Sequence, residues 1–209
     1  MTPSGTKALQ DEAIRSSASW RMALHLFSSA EMVDALSFGG AMKVCARQGR
    51  WQETLCLLGE MSHRSVQRNV VTFSLALNAL AQATRWVEAL QLFEDLRVES
   101  LQVDVALRNS AIKCCQRASQ WREALVLAED TDVVGWNSVL NACGRAGEWQ
   151  RGLEVLALMR RRGLQKTVVT YGAAMDALQQ ASEWQQVLEL YGSFLRTGLQ
   201  VGPPTFLNL

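Results

Sequence analysis

The sequence has few prolines, few histidines and almost no net charge. Its 209 residues include 3 Pro and 2 His, and 21 basic residues nearly balance 20 acidic ones, for a net charge of +1. So few prolines favour helices over a loop-rich β fold. The charge balance argues against a polycation that coats nucleic acid nonspecifically, although it does not exclude a local basic stripe. The composition, 48% hydrophobic and 20% charged, is that of a globular protein.

Long hydrophobic runs are also missing. The longest uncharged run, residues 69–84, contains two Asn, two Thr, one Ser and one Gln. Because this run is too short and too polar to cross a bilayer, we expect no integral membrane protein. The 5 Cys include no Cys-x-x-Cys pair, so the usual zinc signature is absent. An odd number of Cys fits a reducing compartment.

Tryptophan, by contrast, is abundant and regularly spaced. The 7 Trp stand at positions 20, 51, 86, 121, 136, 149 and 184. Without Trp136 the intervals are 31, 35, 35, 28 and 35 residues, and a fixed period of this size is typical of a repeat solenoid. Each Trp of this series is followed by Leu four residues later and then by further apolar residues. This spacing forms one apolar stripe of an α-helix, which we name helix B.

A second apolar segment precedes each helix B. In three cases it opens with Val-Val, and an aromatic residue follows at Phe73, Trp136 and Tyr171. Trp136 therefore fills an aromatic slot, which Phe38 fills in an earlier segment. Small and apolar residues continue the pattern of this helix, which we name helix A. A short polar break follows, where Gly can end the helix.

Counting the Trp as the seventeenth residue of each repeat divides the chain into six helical hairpins. Two repeats are short by 4 and by 7 residues, which is close to one and two helical turns, and we expect their helix B to lose turns at its C-terminal end. Because one hairpin cannot bury its own apolar face, neighbouring repeats must stack, with the Trp side chains inside the stack. The predicted repeats are 4–34, 35–69, 70–104, 105–132, 133–167 and 168–202, and residues 203–209 open a seventh.

The repeat resembles the pentatricopeptide repeat, a helical hairpin whose length equals the commonest Trp interval of 35 residues. Residues 133–167 carry the pattern most fully, with Val133-Val134, the break Cys143-Gly144-Arg145-Ala146-Gly147, and Gly163-Leu164. The resemblance implies an all-α, right-handed solenoid of helix-turn-helix repeats in one domain, 1–209. The tetratricopeptide repeat is the near alternative, but its unit has the Trp in helix A and a Pro near its end. Here the Trp opens helix B, and no repeat ends in Pro.

The resemblance implies a one-base-per-repeat reader of single-stranded RNA. In the family, the fifth and last residues of a repeat contact the base edge, the second packs on the base face, and a basic residue near the thirteenth place can contact phosphate. The implied base-reading pairs are Gly39 with Asn69, Ser74 with Asp104, Asn109 with Asp132, and Asn137 with Thr167, together with Ala8 and Asp34, and Gly172 and Gly202. The implied base-packing residues are Val71, Val134 and Val169, and the implied phosphate contacts are Arg47, Arg117 and Arg145.

These assignments imply a base preference. Asn with Asp resembles the family's uracil reader, Ser with Asp resembles its guanine reader, and Asn with Thr suggests a pyrimidine. Repeats three to five are therefore expected to prefer G-U-pyrimidine. Gly or Ala at the fifth place has no hydrogen-bonding side chain, so three of the six repeats depart from the pattern. The three arginines have an alternative role as cations at the C-terminal ends of helices A, where the helix dipole favours them.

We expect no cofactor, no metal and no catalytic residue in this chain. Cys45, Cys115 and Cys143 share the eleventh place of their repeats and are expected to be small buried hydrophobes. In the family, enzymatic activities lie in appended domains. The resemblance implies RNA processing, stability, editing or translation in a mitochondrion or chloroplast, without a membrane or a small-molecule substrate as partner. The alternative is a protein-binding scaffold that uses the same concave groove, and we expect the chain to be part of a longer array.

Overall fold

The computed structural model describes residues 19–28, 34–98 and 103–199, and the predicted features at Ala8, Gly202 and 203–209 lie outside them. The described residues form α-helices and one 3-10 turn, with no strand. The helices of type A are α2 (Ala35–Arg47), α4 (Val70–Gln82), α6 (Val105–Arg117), α8 (Val133–Arg145) and α10 (Val168–Gln180). The helices of type B are α1 (Trp20–Ser28), α3 (Trp51–His63), α5 (Trp86–Val98), α7 (Trp121–Leu127), α9 (Trp149–Arg161) and α11 (Trp184–Arg196).

The chain divides into two compact halves, Met1–Ser110 and Ala111–Leu209. In the N-terminal half α2 packs against α3 and α4, and α4 packs against α3 and α5. In the C-terminal half α8 packs against α7, α9 and α10, and α10 packs against α9 and α11. The aromatic slot of helix A is buried in both halves, with Phe38, Phe73, Trp136 and Tyr171 at most 4% exposed. The sequence interpretation of Trp136 as a core residue of helix A is therefore confirmed.

The turn from helix A to helix B uses one residue with a left-handed backbone. Gly49 and Gly147 have φ values of +69° and +74° there, a conformation that glycine adopts without a steric cost. The same place in the other repeats holds Thr84, Ser119 and Ser182, with φ values of 59° to 60°. The turn geometry is thus constant, although only two of these repeats use glycine for it.

Repeat 105–132 has a short helix B, as its length predicts. α7 ends at Leu127 after 7 residues, and the 3-10 turn Ala128–Asp130 follows. Arg162 of the next repeat donates a hydrogen bond to the carbonyl oxygen of Glu129 at 2.6 Å, and its Cζ lies 5.2 Å from the ring centroid of Trp136. Arg162 therefore joins the shortened end of one repeat to the buried aromatic residue of the next.

The tryptophans that open helices B do not lie in the buried core, contrary to the prediction. Trp184 is 66% exposed, and the others are half-buried. Arginines of the following repeats lie over some of them: the Cζ atom of Arg50 is 4.4 Å from the centroid of the Trp20 ring, and that of Arg85 is 4.9 Å from the centroid of the Trp51 ring. A guanidinium group can stack on an indole face while it remains hydrated, which suits a side chain at the edge of the core.

Helices α8 and α10 approach each other closely at Gly144. A Cβ atom added to Gly144 would lie 3.0 Å from the Cβ and 3.2 Å from the Cα of Ala177. Ala177 is buried in α10, so its Cα and Cβ cannot move aside unless the helix itself shifts. The lack of a side chain at Gly144 therefore sets the distance between these two helices.

We predict that Gly144→Ala lowers the free energy of unfolding by about 1 kcal/mol, because overpacking costs ~1–3 kcal/mol and exceeds the gain in helix propensity of Ala over Gly, up to ~1 kcal/mol. Chemical denaturation measures the difference. Gly152→Ala is the matched control, because Gly152 is also buried in a helix but its added Cβ would meet only the Cβ of Cys143, at 3.9 Å. Equal stability of the two variants would contradict the prediction.

Candidate nucleic-acid interface

In the part of the chain that the structure describes, the residue that closes a repeat caps helix A of the next one. Asp132 precedes α8, and its Oδ1 accepts hydrogen bonds from the backbone N–H groups of Val134 at 3.1 Å and Gly135 at 3.3 Å. Such a cap satisfies N–H groups that have no partner within the helix. The same arrangement occurs at Asp34 of α2, Asn69 of α4, Asp104 of α6 and Thr167 of α10.

The sequence interpretation gave these closing residues a role in base reading and missed the cap. The signal was present, because Asp, Asn or Thr directly before an apolar helical segment is a helix start signal. The caps at Asp132 and Asp104 use one carboxylate oxygen, Oδ1, and a carboxylate has a second oxygen that can accept. Capping and contact with a base are therefore compatible in one side chain.

The fifth residues lie on the first turns of helices A. Ser74 and Asn109 are half-buried, whereas Asn137 is only 9% exposed. A Cβ atom added at Gly39 or at Gly172 would meet no other atom within 4 Å. Two repeats thus have open space at the place where three other described repeats have a polar side chain.

In repeat 133–167 the structure links the fifth and the closing residue. The Oδ1 atom of Asn137 accepts a hydrogen bond from the hydroxyl of Thr170 at 2.7 Å. The Oγ1 atom of Thr170 in turn accepts from the backbone N–H of Thr167 at 3.0 Å, and the Oγ1 atom of Thr167 accepts from the N–H of Thr170 at 3.3 Å. The predicted pair Asn137 and Thr167 therefore belongs to one hydrogen-bonded network, through a third residue that the sequence interpretation did not identify.

The second residues of helices A form an exposed aliphatic series. Val71 is 64% exposed, Val134 is 59% exposed and Val169 is 62% exposed, and Leu36 at the same place is 55% exposed. One exposed aliphatic residue needs no explanation, but its recurrence at the same place in four helices is a pattern. In α6 the place is held by Ala106, which is also exposed.

The three predicted phosphate contacts lie at the opposite end of helix A. Arg47, Arg117 and Arg145 are each the last residue of their helix, and all three are exposed. The Nη2 atom of Arg145 donates to the backbone carbonyl oxygen of Arg117 at 3.3 Å. This bond satisfies a carbonyl at the end of α6, so the alternative role at the negative end of the helix dipole has direct support for Arg145.

The cysteines predicted to be small buried hydrophobes are buried. Burial is the largest cause that raises the pKa of Cys45 to about 11 and the pKa values of Cys115 and Cys143 to about 12. These thiols are thus protonated at neutral pH, which makes them poor nucleophiles. In the part of the chain that the structure describes, no group of three His, Cys, Asp or Glu could hold a metal ion. No helix there combines the length and the apolar character needed to cross a membrane.

Two family models of the pentatricopeptide repeat match the sequence. The model described as the PPR repeat family matches residues 131–200, and the model described as the PPR repeat matches residues 37–66 and 71–101. The matched segments together cover more than half of the chain. No match is found among curated protein sequences.

Solved pentatricopeptide structures have the same fold. The crystal structure of PPR10 from maize is 22% identical with a TM-score of 0.74, over 94% of this chain and 30% of the maize chain. PPR10 in complex with an 18-nt psaJ RNA element is 23% identical with a TM-score of 0.75, over 95% and 32% of the two chains. The PPR domain of Arabidopsis thaliana protein-only RNase P 1 in complex with tRNA is 15% identical with a TM-score of 0.62, over 78% and 90%.

At these identities the likeness shows the fold, an all-α solenoid of helical hairpins. The chain spans less than a third of the length of the maize protein. The period of the sequence, the alternation of helices A and B, and the two matching family models agree. The chain therefore belongs to the pentatricopeptide repeat family.

Proposed function

We propose that this chain binds single-stranded RNA along its helices A. The observation that carries the proposal is the aliphatic residue at the second place, which is more than half exposed in four helices A. The flat face of a base is a surface that such side chains can pack against. The maize structure with an RNA element and the Arabidopsis structure with tRNA support the proposal, since both relatives share the fold.

The base-reading residues are part of the same proposal. Ser74 with Asp104, Asn109 with Asp132, and Asn137 with Thr167 would contact three successive bases and prefer G-U-pyrimidine. Short amide, hydroxyl and carboxylate groups present fixed donors and acceptors to an unstacked base. The caps support this assignment, because a side chain held by a helix terminus has a defined orientation. Gly39 and Gly172 offer space and no side-chain hydrogen bond, so their repeats would bind with little base preference.

The cellular setting is inferred from the family alone. We place the chain in RNA processing, stability, editing or translation in a mitochondrion or chloroplast. The repeats would supply RNA binding rather than catalysis. In the Arabidopsis relative the pentatricopeptide domain is one part of an RNase P. The proposal likewise assigns RNA binding to the repeats and catalysis to other parts of a protein or complex.

A protein-binding scaffold is the second candidate function. It is favoured by a groove of about 580 Å³ between α9 and α11, which is lined mostly by residues of these two helices B and differs from the helix A groove that the sequence interpretation suggested. Burial, and then the charge of Arg160, lower the pKa of Lys166 at its edge, so the groove concentrates positive charge beside apolar walls. An acidic amphipathic peptide would suit it. The groove is lined by Leu153, Leu156, Ala157, Arg160, Arg161, Lys166, Tyr171, Leu190 and Ser193.

We predict that Val71→Ser, Val134→Ser and Val169→Ser each weaken the retention of a randomised single-stranded RNA pool by about fivefold, from roughly 1 kcal/mol of lost apolar contact. The melting temperature should not change, because exposed substitutions usually have small effects on stability. Filter binding measures retention. Val87→Ser and Val126→Ser are matched controls, since these valines are 55% and 72% exposed on helices B.

Equal losses in the helix A and helix B variants would contradict the placement of RNA on helices A. Retention of no RNA by the unsubstituted chain would instead reject RNA binding and favour the scaffold.

We predict that Asp132→Asn leaves the stability nearly unchanged but alters the base selected at one position of the retained RNA. Asn caps a helix as well as Asp does, yet its amide adds N–H donors that a carboxylate lacks. Asp132→Ala removes the cap and should lower the free energy of unfolding by about 1 kcal/mol. Thermal denaturation and sequencing of the retained pool measure the two effects. An unchanged base selection in Asp132→Asn would show that Asp132 caps α8 and does not read a base.

We predict that the logarithm of the RNA association constant falls with the logarithm of salt concentration with a slope of about −2, from ~0.7 per phosphate contact at three arginines. Replacement of Arg47, Arg117 or Arg145 by Ala should flatten the slope by about 0.7 each. A salt titration of the association constant measures this. The control is Arg122→Ala, which removes an exposed cation from α7. A slope that changes in this control and not in the three other variants would contradict the assignment.

A further inference from the structure

The hydrogen bond between Asn137 and Thr170 joins two successive helices A. Asn137 lies on α8 and is 9% exposed, and Thr170 lies on α10 and is fully buried. The Thr170 hydroxyl has a single proton, which it donates to Oδ1 of Asn137 at 2.7 Å. The same oxygen of Thr170 accepts from the N–H of Thr167 in the capping box of α10. The orientation of the Asn137 amide is thus tied to the start of the next helix.

A second capping box in the chain shows what this threonine does when the fifth residue is glycine. Thr72 stands at the same place in α4, and its oxygen likewise accepts from the backbone N–H of Asn69, at 3.1 Å. Its proton, however, goes to the backbone carbonyl of Asn69 at 2.8 Å. The fifth residue of the repeat that Asn69 closes is Gly39. The threonine hydroxyl therefore donates to the side-chain amide of the fifth residue when that residue is Asn, and to the backbone carbonyl of the capping residue when it is Gly.

The consequence is that the two ends of the Asn137 amide have different roles. Oδ1 accepts the hydrogen bond from Thr170. Nδ2 has two protons and no hydrogen-bond partner in the described part of the chain, and it is not among the fully buried atoms that lack a partner. We propose that Thr170 is a positioning residue that fixes the Asn137 amide so that its Nδ2 donors face the RNA base. This inference rests on the proposed RNA binding and adds a residue outside the pairs assigned above.

The fixed amide should discriminate between the two pyrimidines. Directed at N3, the Nδ2 donors favour cytosine, because N3 of cytosine accepts a hydrogen bond whereas N3 of uracil carries a proton. A rotated amide would present its oxygen and accept from uracil instead. Asn109 provides an internal comparison, because the corresponding residue of the repeat after it is Gly135, which has no hydroxyl. Thr170 should therefore affect the base at Asn137 and not the base at Asn109.

The experiment retains RNA from a randomised single-stranded pool on the full chain and on the variants Thr170→Val, Thr170→Ser and Thr72→Val, and sequences the retained RNA. The base read by Asn137 is identified as the position whose selection is lost in Asn137→Ala. We expect Thr170→Val to reduce the ratio of cytosine to uracil at this position about fivefold, the effect of one hydrogen bond, and Thr170→Ser to restore it. Thr72→Val loses the equivalent capping hydroxyl and should leave this ratio unchanged.

An unchanged ratio in Thr170→Val, or an equal change in Thr72→Val, would overturn the proposal and leave RNA binding intact. If the unsubstituted chain retains no RNA, the proposed function fails, and the side-chain NMR signals of Asn137 then test the positioning itself. The ¹⁵N relaxation of Nδ2 should show a rigid Asn137 side chain in the unsubstituted protein and in Thr170→Ser, and a more mobile one in Thr170→Val. A mobile Asn137 side chain in the unsubstituted protein, or equal rigidity in Thr170→Val, would overturn the proposal.

Discussion

Each helix A starts on a side chain that the preceding repeat supplies. The first N–H groups of a helix have no partner within it, and in this chain the closing Asp, Asn or Thr of one repeat satisfies them for the next. The cap thus joins neighbouring repeats through a directional bond, whereas the apolar contacts between helices are non-directional. Because the positions of the buried aromatic residue and of the exposed aliphatic residue both follow from where helix A begins, the cap sets their register on that helix.

This constraint limits which residues can close a repeat. Good caps are Asp, Asn, Ser and Thr, and these are also short side chains with fixed hydrogen-bonding groups. The requirement for folding and the requirement for reading a base therefore select from the same small set. Asp132 illustrates the point, since its carboxylate caps α8 and the proposed function gives the same side chain a contact with a base. A change of closing residue alters stability and base contact together unless the substitute is itself a good cap.

The sequence predicted the parts of this structure that depend on periodicity. The two helices of each repeat, the aromatic slot that Trp136 fills, and the short α7 all follow from the spacing of apolar residues. The half-buried Trp51 was not predicted, because an apolar stripe does not reveal that Arg85, from the next repeat, lies over its ring. The hydrogen bond from Thr170 to Asn137 was not predictable either. It joins residues 33 apart in sequence and depends on the packing distance between α8 and α10, which Gly144 helps to set.

The distribution of charge explains how a nearly neutral chain can present a basic edge. Some of the acidic residues are paired locally on helices B, where Glu94 pairs with Arg97 at 3.1 Å and Glu154 pairs with Arg151 at 2.8 Å. Glu53 and Glu88 are engaged in the same way by Arg50 and Arg85. Surface pairs of this kind contribute little to stability. The two charges of each pair largely cancel, so the pairs add little to the electrostatic field around helices B. The cations at the ends of helices A have no acidic residue three or four places away on their own helix. The net charge of +1 describes the whole chain, whereas a polyanion would sense the local field around the cations that it approaches.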